Sequence, residues 1–170
     1  MADYWYFQPK FKQRALTFLN DRPQPLKTIS YNITERDFIN SGTASAEIKL
    51  ILKRDGLRPE ILRRIAIAAY EAEINVTAHT EGGMVKANFY PDFIHIVFSD
   101  KGKGIKDIEE SMAPGFSTAD SVMRELGFGA GLGLPNIKKN SDVLHISSRE
   151  NKPTCLEIII FFDKTLYDQR

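Results

Sequence analysis

Residues 59–79, PEILRRIAIAAYEAEINVTAH, read as one long helix, and what that helix carries limits how the rest of the chain can be arranged around it. Pro59 suits a first helical turn, where its missing N–H is not needed. Ile65, Ala66, Ile67, Ala68 and Ala69 fill the helix with apolar side chains, whereas Glu71, Asn75 and His79 recur at i, i+4 and i+8 and form one polar stripe. A carboxylate one turn before an amide, bordered by apolar residues, is an unusual use of a face that packing would otherwise bury. Glu73 points about 200° away from Glu71 and leaves the stripe. An ordinary solvated face is the competing reading.

The other segments supply a sheet for this helix. LKTISYNIT reads as a strand, and residues 43–55 as a second helix with Ser41 or Thr43 as cap, Ala44, Ile48, Ile51 and Leu52 on one face, and Gly56 as terminator. MVKANFY and FIHIVFSD read as a hairpin in which Ile94, Ile96 and Phe98 share a face, and VLHISS and CLEIIIFF as two further strands behind a helix over 135–140. Between the pairs lies a glycine-punctuated, partly helical stretch. Strands bunched between helices predict an α+β fold: a two-layer sandwich of a mixed, mainly antiparallel sheet with helices on one face. Residues 1–25 stand apart as an aromatic-rich extension before a domain over 26–170. They carry Tyr4, Trp5, Tyr6 and Phe7, then Phe11, Ala15 and Phe18 at helical spacing. Such a cluster leaves water either by folding back on its own domain or by meeting a partner or a second copy.

Composition excludes several classes. At 170 residues the chain buries about 70% of its extended surface and needs no disulfide. Its single cysteine, Cys155, points to a reduced, cytoplasmic setting and reads as a small apolar residue on a strand. A net charge of +1 argues against nucleic acid or a membrane surface as the main partner. No apolar run approaches the roughly 18 residues of a membrane span. His79, His95 and His145 lie far apart and lack ligand spacing with Cys155, which disfavours a metal held by them.

Two glycine motifs remain. GFGAGLGLP, residues 127–135, alternates glycine with other residues, and fits neither the G-x-G-x-x-G dinucleotide turn nor the lysine-bearing Walker loop. Successive glycine N–H groups feeding a helix start still make a concavity for anions, although a mobile surface loop is an equal reading. DKGKGI, residues 100–105, ends an apolar strand. Asp100 there can accept a hydrogen bond from an exocyclic amine while Gly102 and Gly104 leave room for a flat ring, and an ordinary turn explains the motif as well.

The order E-x-x-x-N on a helix, D-x-G-x-G after a strand, then a glycine loop with G-L-G-L resembles the GHKL ATP-binding superfamily. Within it, GFSTADSVMRELGFGAGLGLPNIKKNSDVL is similar to the bacterial serine kinases of partner-switching modules, the anti-sigma-factor kinases and the switch kinases of stress modules. The likeness covers roughly residues 26–163. It implies ATP and magnesium as cofactors, with Glu71 as general base toward a serine hydroxyl, Asn75 holding magnesium, and Asp100 binding the adenine amine beside Gly102 and Gly104. It implies that Gly129, Gly131, Leu132 and Gly133 wrap the triphosphate, and that Ser117 and Thr118, after Phe116, belong to an ATP lid. His79 matches a histidine with a packing role. The family pattern has Gly-Thr before the last strand, where this chain has Pro153-Thr154, with Thr154 serving to fix Asp100.

The resemblance thus implies a cytoplasmic ATP-dependent serine/threonine protein kinase. It phosphorylates a small antagonist protein and binds a sigma factor or regulatory phosphatase reversibly, with a homodimer possible through the extension. Two other readings stand beside it: a nucleotide-loaded binding switch without phosphoryl transfer, and the catalytic domain of a histidine kinase. The last is disfavoured by an extension that holds no histidine.

Overall fold

The computed structural model describes residues 2–116, 133–163 and 166. In chain order the elements are β1 (Ala2–Phe7), a 3-10 turn (Pro9–Phe11), α1 (Lys12–Asp21), β2 (Lys27–Ile33), α2 (Thr43–Arg54), α3 (Pro59–His79), β3 (Gly83–Phe89), β4 (Phe93–Asp100), α4 (Ile108–Ser111), α5 (Gly133–Asn140), β5 (Val143–Ser148) and β6 (Cys155–Phe161). The strands form one six-stranded sheet in the order β1-β5-β6-β4-β3-β2. The α+β sandwich is the expected one, except that helices cover both faces of the sheet and not one, α1 lying opposite α2 and α3. The sheet is simpler than a mixed one, because every pairing among the described strands is antiparallel.

Strand alternation decides which side chains meet the helices. Ile94, Ile96 and Phe98 of β4 face one side with Leu144, Ile146, Leu156, Ile158 and Ile160, and there they join Ile48 and Leu52 of α2 and Ile65, Ala68 and Ala72 of α3 in the main core. The small alanines let α3 lie close to the sheet. Arg64 of α3 reaches the fully buried Asp142 at 2.7 Å, and the other carboxylate oxygen of Asp142 accepts from the Phe161 amide, so α3 is tied to the start of β5.

The opposite face carries a second, smaller core made by α1. Ala15 and Phe18 pack on Tyr90, Phe93, Val143, Ile159 and Phe161. Phe18 meets Tyr90, Phe93 and His95 edge-on at 4.9–5.2 Å, and burying such a ring contributes roughly 1.5–3 kcal/mol. β1 pairs with β5 from Ala2↔Ser148 to Phe7↔Val143. The aromatic extension therefore finds its contacts within the chain, as an edge strand and a covering helix.

The start of α2 departs from expectation. Neither Ser41 nor Thr43 caps it: the Ser41 hydroxyl bonds that of Thr77, and Thr43 donates to the Asn40 carbonyl. The cap comes from α3, where Glu73 Oε2 accepts from the Gly42 and Ala44 amides at 2.8 and 3.3 Å and Oε1 from the Ser45 amide at 2.9 Å. A buried carboxylate at a helix N-terminus satisfies orphan N–H groups and the helix dipole together. Among the described residues no helix is long and apolar enough to cross a membrane.

Candidate functional site

A cavity of about 800 Å³ opens between α3, the end of β4, the segment after it and the start of α5. That is within the range of small-molecule and cofactor pockets. Its walls include the whole polar stripe, Glu71, Asn75 and His79, together with Asp100, Gly102, Gly104, Gly133 and Thr154. Residues spread over 80 positions of sequence thus share one hollow. Ser117, Thr118, Gly129, Gly131 and Leu132 lie outside the described residues; Phe116, just before them, lines the cavity.

At one end Asp100 is held by backbone alone. Its Oδ1 accepts from the Gly102 and Thr154 amides, each at 2.9 Å, while its own N–H donates to the Thr154 carbonyl at 3.1 Å. Among the described residues both bonds to the carboxylate fall on Oδ1, which leaves Oδ2 uncommitted. Thr154 therefore fixes Asp100 by its amide, and the missing N–H of Pro153 does not enter the arrangement. The Thr154 hydroxyl bonds Ser148 Oγ at 2.6 Å, and Ser148 accepts from the Ile105 amide at 2.8 Å, which ties the chain after β4 to the β5–β6 turn.

The two glycines after Asp100 are needed for different reasons. Gly104 sits at φ +76, and a Cβ there would overlap the Arg149 carbonyl, so only glycine fits. A Cβ on Gly102 would come within 3.0 Å of the Thr80 side chain and 3.3 Å of Asp100 Oδ1. What they exclude in this structure is the protein's own atoms, beside the cavity they border.

At the other end α5 begins against the stripe. A Cβ on Gly133 would lie 3.1 Å from Asn75 Oδ1 and 3.5 Å from Glu71 Oε2. Glu71 also has a long contact, 3.4 Å, from the Asn136 amide to Oε1. A carboxylate and an amide oxygen side by side, under the first turn of a helix, form a donor set for a hard divalent cation beside an anion site. The residues present therefore fit both nucleotide phosphate and magnesium.

Two contributors to the site were not legible in the sequence, and neither was a cluster on the opposite face of the sheet. Asn136 looks like any polar residue of a short helix, and Ser148 like a strand terminus. His95 and His145, far apart along the chain, both face Glu157 across neighbouring strands, at 3.7 and 3.9 Å from its Oε2. The strand registers, had they been known, would have found this pair. Burial pushes the Cys155 thiol up from its usual value, so it stays protonated and behaves as the small strand residue expected.

No protein-family model matches the chain. An anti-sigma F factor of Anoxybacillus flavithermus is 31% identical over 72 residues, 42% of this chain and 46% of the relative, so the chain spans about half the length of the curated relative it matches. Among solved structures, the mycobacterial sensor histidine kinase MprB matches at 17% identity and a TM-score of 0.45, over 81% of this chain and 100% of that one. A chain of the SiaB-SiaC complex from Pseudomonas aeruginosa matches at 18% identity and the same TM-score, over 89% of this chain and 98% of that one. The similarity to the anti-sigma F factor is confined to that stretch of 72 residues.

Proposed function

We propose that the chain binds ATP with magnesium in this cavity and acts as a serine/threonine protein kinase of the anti-sigma-factor or switch-kinase type. The observation that carries the reading is the convergence of Glu71, Asn75, Asp100 and the first turn of α5 on one hollow. Asp100, with Oδ1 already committed, offers Oδ2 to an exocyclic amine. Asn75 offers Oδ1 to the cation. Magnesium, when bound, neutralises charge on the phosphates. Glu71 turns Oε2 toward the start of α5 and accepts the proton of an incoming hydroxyl. Positioning and electrostatics supply most of the acceleration, and the base adds about 10² to 10⁴.

The acceptor in this reading is a small antagonist protein, with a sigma factor or regulatory phosphatase as reversible second partner in the cytoplasm. The test is incubation of the full chain with γ-labelled ATP, magnesium and candidate acceptors, alongside calorimetry of nucleotide binding. Label on a serine or threonine of the acceptor is the expected result. Nucleotide uptake without transfer to any acceptor would convert the reading to a binding switch, and no uptake would overturn it.

A further inference from the structure

On the sheet face opposite the cavity, three buried polar atoms without a hydrogen-bond partner are His95 Nε2 of β4, His145 Nδ1 of β5 and Glu157 Oε2 of β6. Both ring nitrogens face the same carboxylate oxygen, at 3.7 and 3.9 Å. Their outer partners fix where the protons sit. The Thr28 hydroxyl donates to Asn88 Oδ1, which turns the Asn88 NH₂ toward His95 Nδ1 at 3.2 Å. His95 Nδ1 is therefore an acceptor, and its ring proton is on Nε2, facing Glu157.

His145 is held differently. Its Nε2 lies 2.7 Å from Asp3 Oδ1 on β1, and its Nδ1 faces Glu157. Ionised carboxylates only accept, so a neutral ring, with one N–H, serves one of them and turns a lone pair on the other. The imidazolium serves both. The Trp5 indole of β1 stacks on the same ring, centroids 3.7 Å apart and planes within 8°, an arrangement that favours a cation over the aromatic face. The remaining charged or titratable groups around this cluster are His95 from β4, Cys155 beside Glu157 on β6, and Arg22 at the end of α1, 3.8 Å from Glu157 Oε2.

We propose that His145 is a proton-operated clasp for strand β1, its charged ring joining Asp3 at the sheet edge to Glu157 inside the sheet, so that loss of the proton loosens residues 2–7. Burial opposes the charge on the ring, but the Glu157 carboxylate facing it at 3.9 Å and the hydrogen bond to Asp3 outweigh it and raise the His145 pKa above its ordinary 6.5. A raised folded-state value stabilises the docked strand fully below the unfolded value, and that stabilisation is lost as pH rises through the folded one. The facing rings of His145 and then His95 hold Glu157 well below the usual carboxylate range, and the hydrogen bond from His145 lowers Asp3, so these two keep their charge as the medium becomes mildly acidic. The clasp is shut at mildly acidic pH and opens as pH rises through the raised His145 pKa.

Trp5 is the sole tryptophan and reports on its own contact. The experiment follows Trp5 emission and hydrogen exchange of residues 2–7, corrected for intrinsic rates, in the nucleotide-free full chain between about pH 5.5 and 9. Emission should rise as the quenching imidazolium is lost, and protection of β1 should fall roughly 2- to 5-fold, as for a partly exposed ion pair, while β4 and β6 stay protected. His145→Gln should abolish both pH dependences. Asp3→Asn, at the exposed edge and harmless to the core, should move the midpoint down. Flat protection of residues 2–7 in the wild type, the same pH dependence in His145→Gln, or a midpoint unmoved by Asp3→Asn would each overturn the clasp. The outcome does not depend on nucleotide binding.

Discussion

Glu71 and Glu73 stand two residues apart on the same helix and do opposite things. Glu73 is buried and spends its carboxylate on three backbone amides at the start of α2. Glu71 borders the cavity and, among the described residues, has one long contact, to Asn136. The sequence gives both the same chemistry, and helical phase separates them by about 200°. A carboxylate whose lone pairs are taken up by its own backbone has none left for a reactant. One that borders the cavity with a single long contact among the described residues keeps lone pairs free of backbone.

Four substitutions break or sharpen that contrast. Glu71→Ala should reduce phosphoryl transfer by about 10² to 10⁴ while leaving nucleotide affinity and the melting temperature nearly unchanged, as read by labelled transfer, calorimetry and thermal unfolding. Glu73→Ala should do the reverse. Uncapping buried amides costs about 2–4 kcal/mol, or a Tm lower by roughly 4–16 °C for a domain of this size, with hydrogen exchange rising first in α2. If the two variants melt alike, the division of labour along α3 is wrong.

The third acts at the far end of the same hollow. Asp100→Ala removes a charged hydrogen-bond acceptor and should weaken ATP binding about 10- to 100-fold, with a smaller loss for nucleotides that lack the exocyclic amine. Equal losses for both would remove Asp100 from base recognition. The mildest is Gly133→Ala, whose methyl would press on Asn75 Oδ1 at 3.1 Å. It should cost about 1 kcal/mol in binding, near fivefold, and selectively in the presence of magnesium. An effect independent of the metal would point to α5 packing in place of the Asn75 oxygen.

What could be read in advance followed local rules. Pro59 at a first turn, Gly56 at a helix end and the alternation of Ile94, Ile96 and Phe98 each announce themselves within a few residues, and the elements built on them are where the residues said. The stripe of Glu71, Asn75 and His79 was legible because a helix repeats every 3.6 residues. What stayed hidden was pairing across distance. Glu73 caps a helix about 30 positions earlier in the chain, and the Ser41 and Thr43 signals that should have capped it locally are engaged elsewhere. Thr154 holds Asp100 through its backbone amide, a bond that no side-chain pattern announces. The pairing of β1 with β5 has no local signature at all, since an aromatic run looks the same whether it meets its own sheet or another molecule.

The sheet order has a further consequence during synthesis. β1 and β5, its only strand partner among the described residues, are separated by about 140 residues, which at ribosomal speeds is roughly 7 to 30 seconds of elongation. Throughout that interval Trp5, Tyr4 and Tyr6 have left the ribosome with no complementary edge to join. The nascent chain is then at its stickiest, and a chaperone that shields aromatic segments would find its substrate there.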